Sequence, residues 1–259
     1  MTVVGFEEDA RGVGRVTLRR AEKRNAMSGE MIAELAEVAA RIAGSSSIRV
    51  VVLAAEGDVF CAGGDLAWMR AQMVADAETR RREAMALAMM LKSLNDLDVP
   101  VIGRVQGDAF GGGVGLMSVC DVVVAVEGSK FGLTETRLGL IPATIGPYVV
   151  ARMGAARARR VFFSSRVFEV GEAVDLGLVS RVVPVGDLDV AVEREVVPYF
   201  ACAPGAVAEA KAMVRALGPV IDEAVISASV DALVARWESD EVEEGTAAFF
   251  ERRAAAWMR

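Results

Sequence analysis

Gly107-Asp108-Ala109-Phe110-Gly111-Gly112-Gly113-Val114-Gly115-Leu116-Met117-Ser118-Val119-Cys120 lies between two apolar runs, VPVIGRV (99–105) and DVVVAV (121–126). Both flanks are rich in β-branched residues and read as strands, so the segment between them reads as a glycine turn that opens a short apolar helix. Two familiar phosphate loops fail on spacing. A dinucleotide fingerprint would need glycine where Leu116 stands, and the GK[ST] of a Walker A loop is absent. Consecutive glycines at a helix start leave backbone N–H groups unshielded, with the positive end of the helix dipole behind them. That is what an oxyanion hole requires; a tight turn with close helix packing is the alternative on this segment alone.

Working outward, IRVVVLAA (48–55) and VGRVTL (13–18) read as strands, the first of them buried on both faces. Between them Ser28 is placed to cap a helix whose apolar stripe is Met31, Ile32, Leu35, Val38, Ala39 and Ile42. Repetition of this strand, helix, strand theme predicts an α/β fold. A helix is expected over about 78–97, with Met85, Met89 and Leu94 inward and the run Arg80 to Arg82 outward, then helices over 145–152 and 155–162 and a strand at 178–183. From Asp187 onward only helical patterns remain, including one that starts at Pro204. This shift divides the chain into a core, 1–195, and a C-terminal helical region, 196–259.

Composition removes several chemistries. The 259 residues include no histidine, so a Ser-His-Asp triad, an imidazole base and His-ligated zinc are excluded. Cys61, Cys120 and Cys202 lie far apart with no CxxC pair, which argues for reduced thiols rather than a metal cage or a disulfide framework. A formal charge of −7 disfavours nucleic acid as a partner. The N-terminus has no basic or apolar leader and no stretch approaches 18 consecutive apolar residues, so a cytoplasmic protein that does not span a membrane is expected.

Two further segments carry candidate chemistry. Phe60-Cys61-Ala62-Gly63-Gly64-Asp65-Leu66 follows a strand and offers a second small-residue loop; Asp65 reads as the N-cap of a helix starting Leu66, Trp68, Met69, and Cys61 as a packed small side chain. Lys130 to Pro142, KFGLTETRLGLIP, places Glu135 in a glycine-punctuated loop among apolar residues, a setting that raises a carboxyl pKa and prepares it for proton transfer. Alone, Glu135 reads more readily as an ordinary surface or ion-paired acid, with Arg137 as its candidate partner.

Together, FCAGGDL, GDAFGGGVGL…CD and KFGLTETRLGLIP, with EKRNAM (22–27) and EGTAAFFERR (244–253), resemble the enoyl-CoA hydratase/isomerase (crotonase) superfamily over nearly the whole chain. The resemblance implies a crotonase-like spiral of ββα units followed by a helical region that builds homotrimers, often paired into hexamers. It implies an acyl-CoA thioester as substrate, with coenzyme A entering as part of it and no separate cofactor or metal. By position, the backbone N–H groups of Gly64 and Gly112 would hold the thioester oxygen and Glu135 would transfer the proton. Arg24, Ala26, Ala62, Gly64, Asp65, Leu66 and Gly112 would contact the substrate. Phe250, Arg252 and Arg253 would close the CoA site, and Trp68, Met69, Met73 and Met85 would wall the acyl pocket unless their helical spacing marks them as core. Hydratases of this family commonly add a second glutamate three residues after the position of Gly112, where this chain has Gly115. Two enzymatic expectations follow. A hydratase with one glutamate, acting on a branched or carboxylated enoyl-CoA in the manner of the methylglutaconyl-CoA hydratase-like branch, comes first. A Δ3,Δ2-enoyl-CoA isomerase, which needs one base and no water, comes second, and a non-catalytic acyl-CoA-binding paralogue third.

Overall fold

In the computed structural model, which describes residues 2–258, the chain begins with a hairpin of β1 (Val4–Glu8) and β2 (Val13–Leu18). The helix α1 (Gly29–Ala43) follows, its first turn closed by Ser28, whose side chain accepts from Met31 N–H. It buries Met31, Ile32, Leu35, Ala39 and Ile42, the stripe expected from the sequence. β3 (Val50–Ala55) is buried at every residue and runs parallel to β2. After α2 (Leu66–Val74) and α3 (Ala77–Asn95), the parallel sheet continues through β4 (Val101–Val105). β5 (Ala109–Phe110), α4 (Gly112–Ser118), β6 (Val122–Val126) and β7 (Lys130–Gly132) come next. Then follow α5 (Gly146–Met153), α6 (Ala155–Phe162), β8 (Val167–Glu169), α7 (Val170–Asp175) and β9 (Arg181–Val183).

The strands form two sheets, one of six strands ordered β1-β2-β3-β4-β6-β9 and one of three ordered β5-β7-β8. Beyond β9 the described chain is helical: α8 (Leu188–Val196), α9 (Pro204–Leu217), α10 (Glu223–Trp237) and α11 (Asp240–Glu251), joined by short turns. The apolar core lies between the large sheet and α1, α3, α4 and α5. On the other face α8 covers Val50, Val52, Ile102 and Val124 with Leu188, Ala191, Val192 and Val196. Among the described residues, no helix is long and apolar enough to cross a membrane.

Three expectations need correction. Arg80 does not face outward with Arg81 and Arg82: it is 8% exposed, and its guanidinium donates to Gln72 O (2.9 Å) and Met73 O (3.2 Å) in the last turn of α2, where Gln72 O also accepts from the capping Ala75 N–H (3.4 Å). On α3, the residues turned fully inward are Ala84, Ala88, Met90, Leu91 and Leu94, while Met85 and Met89 are half-buried against α10. The last strand is also shorter than 178–183, because Leu178 and Val179 pack into the core from a turn, outside the sheet ladder.

Candidate active site

The two glycine loops are tied to each other by a small backbone ladder. Phe60 N–H and Cys61 N–H donate to Asp108 O (3.0 and 3.3 Å), and Phe110 N–H returns a bond to Cys61 O (3.0 Å). The chain at Met27 pairs with the first loop from the other side: Met27 N–H donates to Gly63 O (2.7 Å) and Asp65 N–H to Met27 O (2.9 Å). Ala62 N–H donates to Arg24 O and Gly111 N–H to Gly132 O. The amides of Gly64 and Gly112 have no acceptor among the described residues. The parallel bridge with Met27 does not use the first, and the second is the opening residue of α4, whose early N–H groups have no partner within the helix. These two are also the accessible glycines: Gly64 is exposed and Gly112 half-buried, while Gly63, Gly111, Gly113 and Gly115 are buried.

Glu135 opens a 3-10 turn, Glu135–Leu138. Its carboxyl group lies over the glycine run, since a Cβ on Gly111 would come within 3.1 Å of Glu135 Oε1, and Gly111 itself has φ +49°, a conformation that favours glycine. The residue is half-buried overall, but its Oε2 is wholly buried with no hydrogen-bond partner. Burial pushes the carboxyl pKa up to about 7, partly offset by a bond from the residue's own N–H. Arg137 does not relieve this: its side chain is exposed and its guanidinium reaches only Ser165 O, at 3.4 Å. The turn is clamped from behind by the C-terminal helices. Arg236 donates twice to Gly139 O (2.9 and 2.7 Å), and Gly245 of α11 packs so closely on Leu138 that a Cβ there would stand 2.6 Å from its carbonyl.

A cavity of about 390 Å³ joins these parts, lined by Gly64, Gly112 and Glu135 together with mainly apolar walls. Of the residues singled out in the sequence, Ala62, Gly64, Leu66, Trp68, Met69, Gly112 and Glu135 line it, and Arg24, Ala26, Asp65, Met73 and Met85 do not. Asp65 is committed elsewhere, accepting from Ala67 N–H (2.8 Å) and Trp68 N–H (3.2 Å) as the cap of α2 and pairing with Arg20 (2.9 Å). Burial raises its pKa, but these partners outweigh that and hold it below the usual carboxylate range. Arg24 is exposed and acts on the site through its carbonyl; Ala26 is buried and its carbonyl accepts from Arg20. Near the C-terminus, Arg253 is engaged by Glu244 and Glu251, and Phe250 lies under Arg70 (4.6 Å). Cys61 is buried, its thiol pushed up to about 12. Met27, Phe110, Ile145, Leu233, Trp237 and Phe249 complete the walls. Met27, Phe110 and Phe249 lie within the quoted motifs, whereas no local signal marks Leu233 or Trp237, which the fold brings in.

The position of Gly115 has a structural reason. A Cβ there would meet Ile145 Cγ2 at 2.5 Å and Leu91 Cδ1 at 3.4 Å, so the space is taken by buried apolar side chains. Glu135 is the one carboxylate among the residues that line the cavity.

A family profile described as Enoyl-CoA hydratase/isomerase matches residues 8–259. The chain belongs to the enoyl-CoA hydratase/isomerase family. An enoyl-CoA hydratase from Shewanella pealeana is 33% identical, with 98% of this chain and 96% of that one covered and a TM-score of 0.81. An enoyl-CoA hydratase from Mycobacterium smegmatis is 32% identical over all of both chains, with a TM-score of 0.80. AtuE of Pseudomonas aeruginosa is 34% identical, with 99% of this chain and 100% of that one covered and a TM-score of 0.81. The α/β architecture with a helical C-terminal region is thus the crotonase fold, and the family membership implied by FCAGGDL, GGGVGL and GLTETRLG holds.

Proposed function

We propose that this family member adds water across the 2,3 double bond of an enoyl-CoA thioester, using Glu135 as its only acid-base group. The observation that carries the reading is the buried, unpartnered Glu135 carboxyl oxygen set beside Gly111 and Gly112 in an apolar cavity. The N–H groups of Gly64 and Gly112 receive the thioester oxygen. Water attacks C3 while one of its protons passes to the Glu135 carboxylate. The double-bond electrons move onto the thioester oxygen, where each backbone donor is worth roughly 3 kcal/mol toward the enolate-like transition state. Glu135 then gives that proton to C2 and returns to its ionised form. A pKa near 7 suits a group that must both take and give a proton at neutral pH. The hydratase names of relatives at 32–33% identity support this direction.

One observation favours a second reading. Ile145 and Leu91 fill the space beside Gly115 and leave no second polar acid to hold a water, which suits a Δ3,Δ2-isomerase in which Glu135 moves a proton from C2 to C4. The assay that decides follows the conjugated enoyl-thioester absorbance. Its loss with crotonyl-CoA or 3-methylglutaconyl-CoA supports hydration, its gain with 3-hexenoyl-CoA alone supports isomerisation, and silence with all three counts against both. The proposal includes self-association as a homotrimer or hexamer, and needs no metal: activity is expected to survive a chelator, measured in the same assay.

A further inference from the structure

We propose that Arg80 is a positioning residue that clasps one wall of the acyl cavity and thereby sets the size of acyl group accepted; the inference rests on the acyl-CoA reading above. The wall is α2, which carries Leu66, Trp68 and Met69 into the cavity directly after Gly64. As a helix it is poorly anchored by apolar burial: Leu66 is 53% and Val74 88% exposed, and its one buried residue is the polar Gln72. Polar contacts hold it instead. Gln72 bonds through its side chain to Glu83 on α3, and the Arg80 guanidinium donates to Gln72 O (2.9 Å) and Met73 O (3.2 Å) at the helix end. The same guanidinium pairs with Glu238 and lies over the Trp237 ring, 5.4 Å from its centroid. Trp237 and Leu233 of α10 also line the cavity. A single planar cation therefore joins the end of α2 to the end of α10, two walls otherwise separate in sequence. Arg70 over Phe250 adds a weaker, exposed tether from α2 to α11.

Arg80 touches neither Glu135 nor the glycine donors, so its loss separates binding from chemistry. Arg80→Lys keeps the charge but not the fork that serves two carbonyls, a carboxylate and a ring together. In Arg80→Lys and Arg80→Met, hydrogen exchange of residues 66–74 is expected to quicken about tenfold, with the helices other than α2 and the end of α10 unchanged. KM for crotonyl-CoA is expected to rise about fivefold while kcat stays within about twofold, with 2-decenoyl-CoA gaining relative to crotonyl-CoA. Unchanged exchange in 66–74, or an unchanged ratio of the two substrates, overturns the proposal. If no enoyl-CoA is turned over by the parent protein, the functional reading fails while exchange still judges the clasp. Should Arg80→Met not fold, Glu238→Ala is expected to quicken the same segment, and no change there overturns the proposal.

Discussion

Glu135 combines a catalytic setting with a cost to the fold, and both can be measured. Its carboxyl titrates at about 7 in the folded chain against an ordinary value of 4.5, so between these pH values the folded form holds the proton more tightly than the unfolded one. Stability from this residue is therefore greatest at the acid end and falls as pH rises from about 4.5 to about 7, by roughly 3 kcal/mol in all. The isosteric, neutral Glu135→Gln lacks that loss. It is expected to match the parent near pH 4.5 and to be the more stable protein at pH 8, as read from denaturant midpoints. Activity runs the other way: the same variant should lose about 10²–10⁴-fold in kcat, the usual contribution of a positioned acid-base group. Because the ionised carboxylate starts either proposed reaction, kcat/KM of the parent should rise with pH through about 7 and then level off. A profile that falls across this range would mean that the protonated form is the active one. Glu135 was legible in the sequence because acid, glycine and apolar neighbours are adjacent. The absence of an Arg137 partner was not, since the guanidinium's direction depends on Ser165, 28 residues away.

Among the elements, α4 is fixed closely by its neighbours. Gly113 admits no side chain because a Cβ would stand 2.5 Å from Cys61 O, and Gly115 none because of Ile145. The departure from the two-glutamate pattern is thus a property of the α4 and α5 contact, where the two helices meet through the Gly115 and Ile145 pair. Gly115→Glu alone is expected to destabilise the fold by at least the 1–3 kcal/mol typical of overpacking, about that much again for the buried acid. Combined with Ile145→Gly it should recover part of that loss in thermal unfolding, and failure to recover would mean that Ile145 is not the obstacle. The long elements were readable in advance: the valine run of β3 and the Ser28-capped stripe of α1 each repeat a period often enough to be seen. β7, β8 and α7, of three to six residues, repeat no period. The burial of Arg80 was hidden for a related reason, as RRR on a helix reads as solvent-facing until α2 and the end of α10 are placed around it.

For the whole molecule, the notable surface is α9 and the segment after it, where no residue is buried and Met213 (59%), Val214 (67%), Leu217 (81%) and Val220 (68%) stand open to solvent. A groove of about 940 Å³ runs beneath, closed on the core side by Lys211 bonded to Asp121 (2.6 Å). Such a stripe suits the proposed self-association. Met213→Asp with Leu217→Asp is expected to shift the mass measured by light scattering toward the monomer, and an unchanged assembly would place the contact elsewhere. The family itself was legible because three motifs in fixed order outweigh any one of them, whereas the cavity's far walls come from residues 233–249, brought in only when the C-terminal helices fold back. One consequence reaches beyond stability and catalysis. The donors proposed for the thioester oxygen are main-chain amides, set by a ladder between Cys61 and Phe110 that belongs to the path of the chain. No single side-chain deletion can remove them, so inactivating substitutions should gather at Glu135 and at the glycines. The oxyanion-binding half of the site would persist through exchange of Glu135, leaving one position at which the chain's chemistry can diversify while its grip on thioesters is inherited intact.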